Sequence, residues 1–241
     1  MTKNVVIAQF LTNMYDTQRG QTLQNVDVTD ITKDLYESVA RFDTELHTII
    51  NFENPTTPPP LEKLITVEPF KHYLNNKLYF LRWEVTFDYL LKHPEIDKAA
   101  LVDAGDVEMM NYPFNDVNEG IIYVGDEYND LTDGIITCDN KPYYLNNFIQ
   151  KNRSLQLLNT GVMIGTRKTL LEFLAILIKL IVEDARDEKF YPDQDNLGSL
   201  EMALTNYVLY NFFSDRIQHG RKITNQFEFD DRDSQAWFKH K

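Results

Sequence analysis

One cysteine, Cys138, is the only thiol in the 241 residues. An internal disulfide is therefore excluded, and a reducing compartment, the cytoplasm, is the expectation. Zinc chemistry lacks its ligands too: there is no His-Glu-x-x-His and the five histidines are scattered. None of the nine glycines builds a Walker loop, a Gly-x-Gly-x-x-Gly turn or a Gly-x-Ser-x-Gly elbow. The common mononucleotide, dinucleotide and hydrolase motifs are thereby removed. The most apolar stretch, Leu170–Val182, is short and carries Glu172 and Lys179, which suits a buried helix better than a bilayer span. Val5–Ala8 is too short for the hydrophobic region of a signal peptide, so no membrane anchor is expected.

Positive charge is also scarce. Lys and Arg number 24 against 37 Asp and Glu, a formal net charge of −13. Affinity for nucleic acid rests on neutralising phosphates with Lys and Arg, so DNA and RNA are not expected partners. A phosphorylated small molecule remains open wherever a divalent cation or a few placed side chains cancel its charge.

What is present is the composition of a folded globular chain, 43% hydrophobic and 25% charged. Val5–Leu11 reads as a buried first strand, followed by a polar loop over Thr12–Gln24. Asp30–Arg41 carries a helical apolar face with Asp30 as its N-cap, and His47–Phe52 reads as a second strand. The prolines of Asn54–Pro60 require an extended loop. Tyr79–Leu91 reads as a helix stopped by Pro94, and Lys98–Val102 as a buried strand. Ile121–Val124 and Gly134–Thr137 are shorter strand candidates. Gln156–Gly165 reads as a strand interrupted at Asn159–Gly161, Thr166–Arg186 as a long helix, and Asn196–Phe213 as helical at first. Strands alternating with helices predict an α/β fold on a mostly parallel sheet.

Four clusters stand out. Asp103-Ala104-Gly105-Asp106 ends a predicted strand. In α/β sheets ligands bind beyond the carboxyl ends of strands, and two carboxylates separated by small residues can turn toward one hard cation. A strand-ending acidic turn gives the same sequence. Asp193-Gln194-Asp195, after Pro192, opens the predicted helix at Asn196, where capping alone explains acidic residues. Asn159-Thr160-Gly161 breaks an apolar strand, marking a bulge or a close approach. His219-Gly220-Arg221-Lys222 is a small cationic turn.

In this order the four clusters resemble the GT-A class of nucleotide-sugar glycosyltransferases over roughly residues 5–222. Val102-Asp103-Ala104-Gly105-Asp106 looks like that class's Asp-x-Asp metal motif, with the carboxylates three apart instead of two. Asn159-Thr160-Gly161-Val162 is similar to the sugar-pocket segment of the retaining glycogenin-like and galactosyltransferase-like enzymes. Asp193-Gln194-Asp195 matches their Asp-Gln-Asp. His219, with Gly220 and Lys222, looks like their C-terminal metal-binding histidine. Asp16-Thr17-Gln18-Arg19-Gly20 and Leu81-Arg82-Trp83 are similar to segments of the small soluble glycosyltransferases of chloroviruses.

The resemblance implies a single GT-A domain over 1–241, with 1–110 binding nucleotide and 111–241 binding sugar and acceptor. It implies transfer, with retention, from a nucleoside diphosphate sugar to a glycan acceptor hydroxyl, UDP being preferred over GDP. Asp103, Asp106 and His219 would hold the metal, Mn²⁺ in preference to Mg²⁺. Phe10, Leu11, Asn13, Tyr15, Asp16, Arg19, Arg82, Asp103, Ala104, Gly105, Thr160, Gly161, His219, Gly220 and Lys222 would bind the donor. Asp193, Gln194, Asp195 and Asn159 would stand at the transferred sugar. A sugar-phosphate nucleotidyltransferase and a non-catalytic nucleotide-sugar-binding protein are the alternatives, the first without its usual N-terminal glycine-rich loop. Oligomeric state stays open, a homodimer included.

Overall fold

The computed structural model describes residues 3–24, 26–68, 77–137, 141–191, 193–199, 201–227 and 234–240. Cys138 and Pro192 lie outside the described residues. The chain forms an α/β structure around one seven-stranded sheet. In chain order the sheet strands are β1 (Lys3–Phe10), β4 (Glu45–Ile50), β5 (Glu62–Thr66), β6 (Ile96–Asp103), β8 (Ile122–Asp130), β9 (Gln156–Thr166) and β10 (Ile217–Gln218). Their spatial order is β10-β8-β9-β6-β1-β4-β5. Only β9 runs antiparallel to its neighbours, so the carboxyl ends of the other six share one edge. Ligands of open α/β sheets bind at such an edge.

Alternation along the strands divides the core into two layers. Val5 and Ile7 of β1 and Ala99 and Leu101 of β6 face one apolar cluster. Val6 and Ala8, with Ala100 and Val102, face the other. The first cluster is covered by α3 (Leu78–Lys92), α5 (Tyr143–Lys151), α6 (Arg167–Phe190) and α7 (Met202–Phe212). The second is covered by α2 (Lys33–Ala40) and a small antiparallel pair, β7 (Val107–Met109) with β11 (Phe238–His240). Strands β2 (Tyr15–Asp16) and β3 (Gln21–Thr22) form a separate hairpin. Among the described residues no helix is long and apolar enough to cross a membrane.

Several expectations are corrected. Asp30 is not an N-cap: the short α1 (Val28–Ile31) is capped by Asp27, whose carboxylate accepts from Thr29 N at 3.1 Å. Gly134–Thr137 is a helical turn, α4, because Asp133 Oδ1 accepts from Ile135 N and starts one. The segment from 193 to 199 is irregular, and α7 begins only at Met202. Strand β9 runs through Asn159–Gly161 without ending. On the β8 side its register jumps there, Val124 facing Met163 while Gly125 faces Asn159. That jump is a bulge.

Helix α7 is fixed to the bulged strand by side chains, Tyr210 Oη donating to Gln156 O at 2.6 Å. Buried Asn206 accepts from Leu158 N at 2.9 Å and donates to Leu158 O at 2.8 Å, standing in for a missing strand partner. This pairing sets the start of α7, and with it Glu201, against the carboxyl edge of the sheet.

Candidate functional site

Strand β6 is apolar and buried from Ala99 to Val102 and ends in Asp103. The chain bends at Ala104 and Gly105, Asp106 follows, and β7 starts at once. Because β7 pairs with β11 in the register Val107↔His240, the residue beside Asp106 is a histidine from the far end of the chain. His240 Nε2 lies 3.5 Å from Asp103 Oδ2 and 3.9 Å from Asp106 Oδ1. One ligand atom from each of the three residues falls within 4.8 Å of the others.

The chemistry of this cluster suits a divalent metal. His240 is 1% exposed, and neither ring nitrogen has a hydrogen-bond partner among the described residues. A buried imidazole without partners is costly unless something is bound there. Two carboxylates and one imidazole are a donor set that could hold a divalent metal ion.

Arg82 of α3 stands on the other side of Asp103. Its Nη1 donates to Asp103 Oδ1 at 2.8 Å and its Nη2 to the Thr160 carbonyl at 3.3 Å. Its Nε is 3.8 Å from Glu201 Oε1. The bulge in β9 is what turns the Thr160 carbonyl toward this guanidinium. Burial pushes the Asp103 carboxyl up, but Arg82 and His240 outweigh it and hold the group well below the usual carboxylate range. Burial dominates at Glu201 and raises it to about 6 against the pull of Arg82. Unlike charges packed this closely at a strand end are characteristic of functional sites.

These groups line a cleft of about 710 Å³. Its far wall is the hairpin β2–β3, which Asp16 ties down. That carboxylate accepts from Tyr79 Oη at 2.7 Å and from the backbone of Gln18 at 2.9 Å and Arg19 at 3.0 Å.

The cleft gathers most of the sequence candidates. Phe10, Leu11, Asp16 and Arg19 line it from β1 and the hairpin, Arg82, Asp103, Ala104, Gly105 and Asp106 from the centre, and Asn159, Thr160 and Gly161 from β9. Asn13 and Tyr15 do not line it. Asn13 takes a left-handed φ of 59° and gives its N–H to Leu23 O, and Tyr15 is 60% exposed. Asp193, Gln194 and Asp195 are not brought to it either. Helix α6 runs on to Phe190, leaving them exposed beyond its end.

The expectation for His219 is corrected in the same way. It is outside the metal-capable cluster, and its Nδ1 lies 2.9 Å from Asp126 Oδ2. Gly220 continues a turn at φ 89°, and Lys222 pairs with Asp116 at 2.6 Å over the Trp237 ring. The histidine beside Asp103 and Asp106 is His240, and the acidic group facing Arg82 from the start of α7 is Glu201. Neither was singled out. The signal for the first was Ala236-Trp237-Phe238, an apolar run able to pair as a strand just before the histidine.

Fold and site together define an α/β protein with a mostly parallel sheet and an acid–histidine cluster, able to hold a metal ion, at the carboxyl edge. No protein-family model matches the chain, and no curated protein matches it.

Proposed function

We propose that the protein is a GT-A glycosyltransferase that moves a sugar from a nucleoside diphosphate sugar to a hydroxyl of a glycan. The observation that carries this reading is the cluster Asp103–Asp106–His240, with Arg82 held against Asp103, at the wall of a cleft of about 710 Å³. Asp103, Asp106 and His240 would hold the divalent cation, Mn²⁺ or Mg²⁺. When bound, that ion supplies positive charge to the diphosphate as the glycosidic bond breaks.

The chain's own residues have separate tasks. Phe10, Leu11 and the hairpin held by Asp16 receive the nucleoside, UDP being preferred. Arg82 keeps Asp103 ionised and oriented, and Arg19, 62% exposed at the rim, adds positive charge for the phosphates. Gly161 leaves the backbone open where the transferred sugar comes closest to the metal ligands. Asn159 and Glu201 offer hydrogen bonds to its hydroxyls. Retention at the anomeric carbon follows the resemblance and belongs to the proposal.

The test is incubation with a panel of UDP- and GDP-sugars, with Mn²⁺ or with EDTA, following donor hydrolysis and transfer. Metal-dependent consumption of one donor, lost in Asp106→Ala, supports the reading. Pyrophosphate release from a nucleoside triphosphate plus a sugar phosphate would replace it with nucleotidyl transfer. Inversion at the anomeric proton, read by NMR, would overturn retention.

A further inference from the structure

The wall of the cleft built by α3, α4 and α7 is short of positive charge. Leu78, Tyr79 and Arg82 come from the first turns of α3, Ile135 from α4, and Glu201 and Met202 from the start of α7, and all six line the cleft. Four of them are uncharged, and the hydroxyl of Tyr79 is given to Asp16. The charge of this wall is therefore that of Arg82 and Glu201.

Arg82 is already engaged. Its Nη1 is on Asp103 at 2.8 Å and its Nη2 on the Thr160 carbonyl at 3.3 Å. Its Nε is 3.8 Å from Glu201 Oε1, beyond hydrogen-bond distance, and is buried without a hydrogen-bond partner among the described residues. One guanidinium thus serves two carboxylates, and Asp103 holds it more closely. The other arginine of the cleft, Arg19, belongs to the hairpin and lies 3.6 Å from Asp16.

Glu201 is the carboxylate left short of counter-charge. Its side chain is 8% exposed, and that surface lies in the cleft. Burial raises it to about 6 against the pull of Arg82, so at neutral pH it is mainly ionised. An ionised carboxylate only accepts hydrogen bonds, and whatever meets it has to donate. Asn159, the other side chain assigned to the sugar, has less to offer: its Oδ1 accepts from Gly161 N at 2.8 Å and its Nδ2 donates to Glu127.

The sugar that such a wall admits follows from its charge. A hydroxyl donates to Glu201 while the C–H face of the ring lies on Leu78, Ile135 or Met202. A sugar carboxylate has no proton to donate. It brings a second negative charge to a wall whose one cation is shared already, and like charges set against each other cost affinity.

We propose that Glu201 selects the donor sugar: it accepts a hydroxyl of an uncharged sugar and rejects sugars that carry a carboxylate, the uronic acids. The inference rests on the glycosyltransferase reading and names the substrate class of that same cleft.

The experiment is calorimetric titration of the full chain, with Mn²⁺ present, by UDP and by two matched pairs of donors. The pairs are UDP-glucose with UDP-glucuronate and UDP-galactose with UDP-galacturonate, whose members differ only in a hydroxymethyl or a carboxylate at C6. In the wild-type chain the acidic member of each pair is expected to bind roughly tenfold or more weakly than the neutral one. Glu201→Gln, which keeps the shape and removes the charge, should bring the two within about threefold of each other. Glu201→Asp, which keeps the charge, should preserve most of the difference. A merely structural role for Glu201 would weaken both members alike and leave their ratio where it was. Equal binding of the two members by the wild-type chain, or a ratio that survives in Glu201→Gln, overturns the inference and leaves the donor reading standing as long as UDP binds. Absence of UDP binding to the wild-type chain overturns the donor reading, and the inference with it.

Discussion

Gly161 and His240 are packed so closely that any side chain at position 161 must displace its neighbours. An added Cβ would lie 2.8 Å from His240 Nε2 and an equal distance from Asp103 Oδ2. The glycine is there to let the backbone of β9 pass beside two metal-capable side chains. Gly161→Ala should therefore force His240 or Asp103 aside. The expected results are a loss of about 1–3 kcal/mol in stability by denaturant melts and a drop in Mn²⁺ affinity by calorimetry. Unchanged Mn²⁺ affinity would show that the two side chains do not act together.

His240 and His219 give opposite expectations for metal. His240→Ala should lower Mn²⁺ affinity by roughly tenfold or more, since loss even of a residue that merely supports a ligand costs that much. His219→Ala should leave it unchanged, because His219 pairs with Asp126 and is outside the cluster. Titration of both variants, read by electron paramagnetic resonance of free Mn²⁺, separates them.

Arg82, its side chain 13% exposed, is the counter-charge of the half-buried Asp103 and the buried Glu201. Arg82→Met leaves Asp103 and Glu201 without it. Removing one partner of a buried ion pair costs about 3–5 kcal/mol, and urea melts should show a loss of that order. Arg82→Lys should not restore the wild type, because one ammonium cannot span Asp103, the Thr160 carbonyl and Glu201 as the guanidinium does.

Glu84, on α3, supplies a pH-dependent term away from the cleft. It is 4% exposed and its Oε1 has no partner among the described residues. Burial first, and then the nearby Asp88, raises its carboxyl from 4.5 to about 7. The unfolded chain ionises first as pH rises, so the contribution of this group is fully present below about 4.5 and is lost as pH passes about 7. Glu84→Gln should therefore be the more stable protein at pH 8, by about 3 kcal/mol at most, and should show no such gain at pH 4. Melts at the two pH values check the sign.

The layered fold was legible because strand burial writes itself into short apolar runs. Val5–Leu11 and Lys98–Val102 were found by that pattern, and the Asp103–Asp106 turn was placed at a strand end by the same reasoning. Strand β5 was missed because Glu62 and Lys63 break its apolar run. Glu62 is nevertheless buried, accepting from Thr32 and Thr48. Gly134–Thr137 looked like a strand because Ile135 and Ile136 are β-branched, but a side-chain turn at Asp133 overrode that propensity. The most costly miss was His240. Its place beside Asp106 depends on β11 pairing with β7 across more than a hundred residues, a non-local contact that periodicity cannot reveal.

Calorimetric titration of UDP into the full chain, with Mn²⁺ and then with EDTA, repeated on Asp106→Ala, decides whether the cluster holds a metal for a nucleotide. Binding should require Mn²⁺ and be lost in the variant. Absence of binding with Mn²⁺ present, or equal binding with EDTA and in Asp106→Ala, would contradict it.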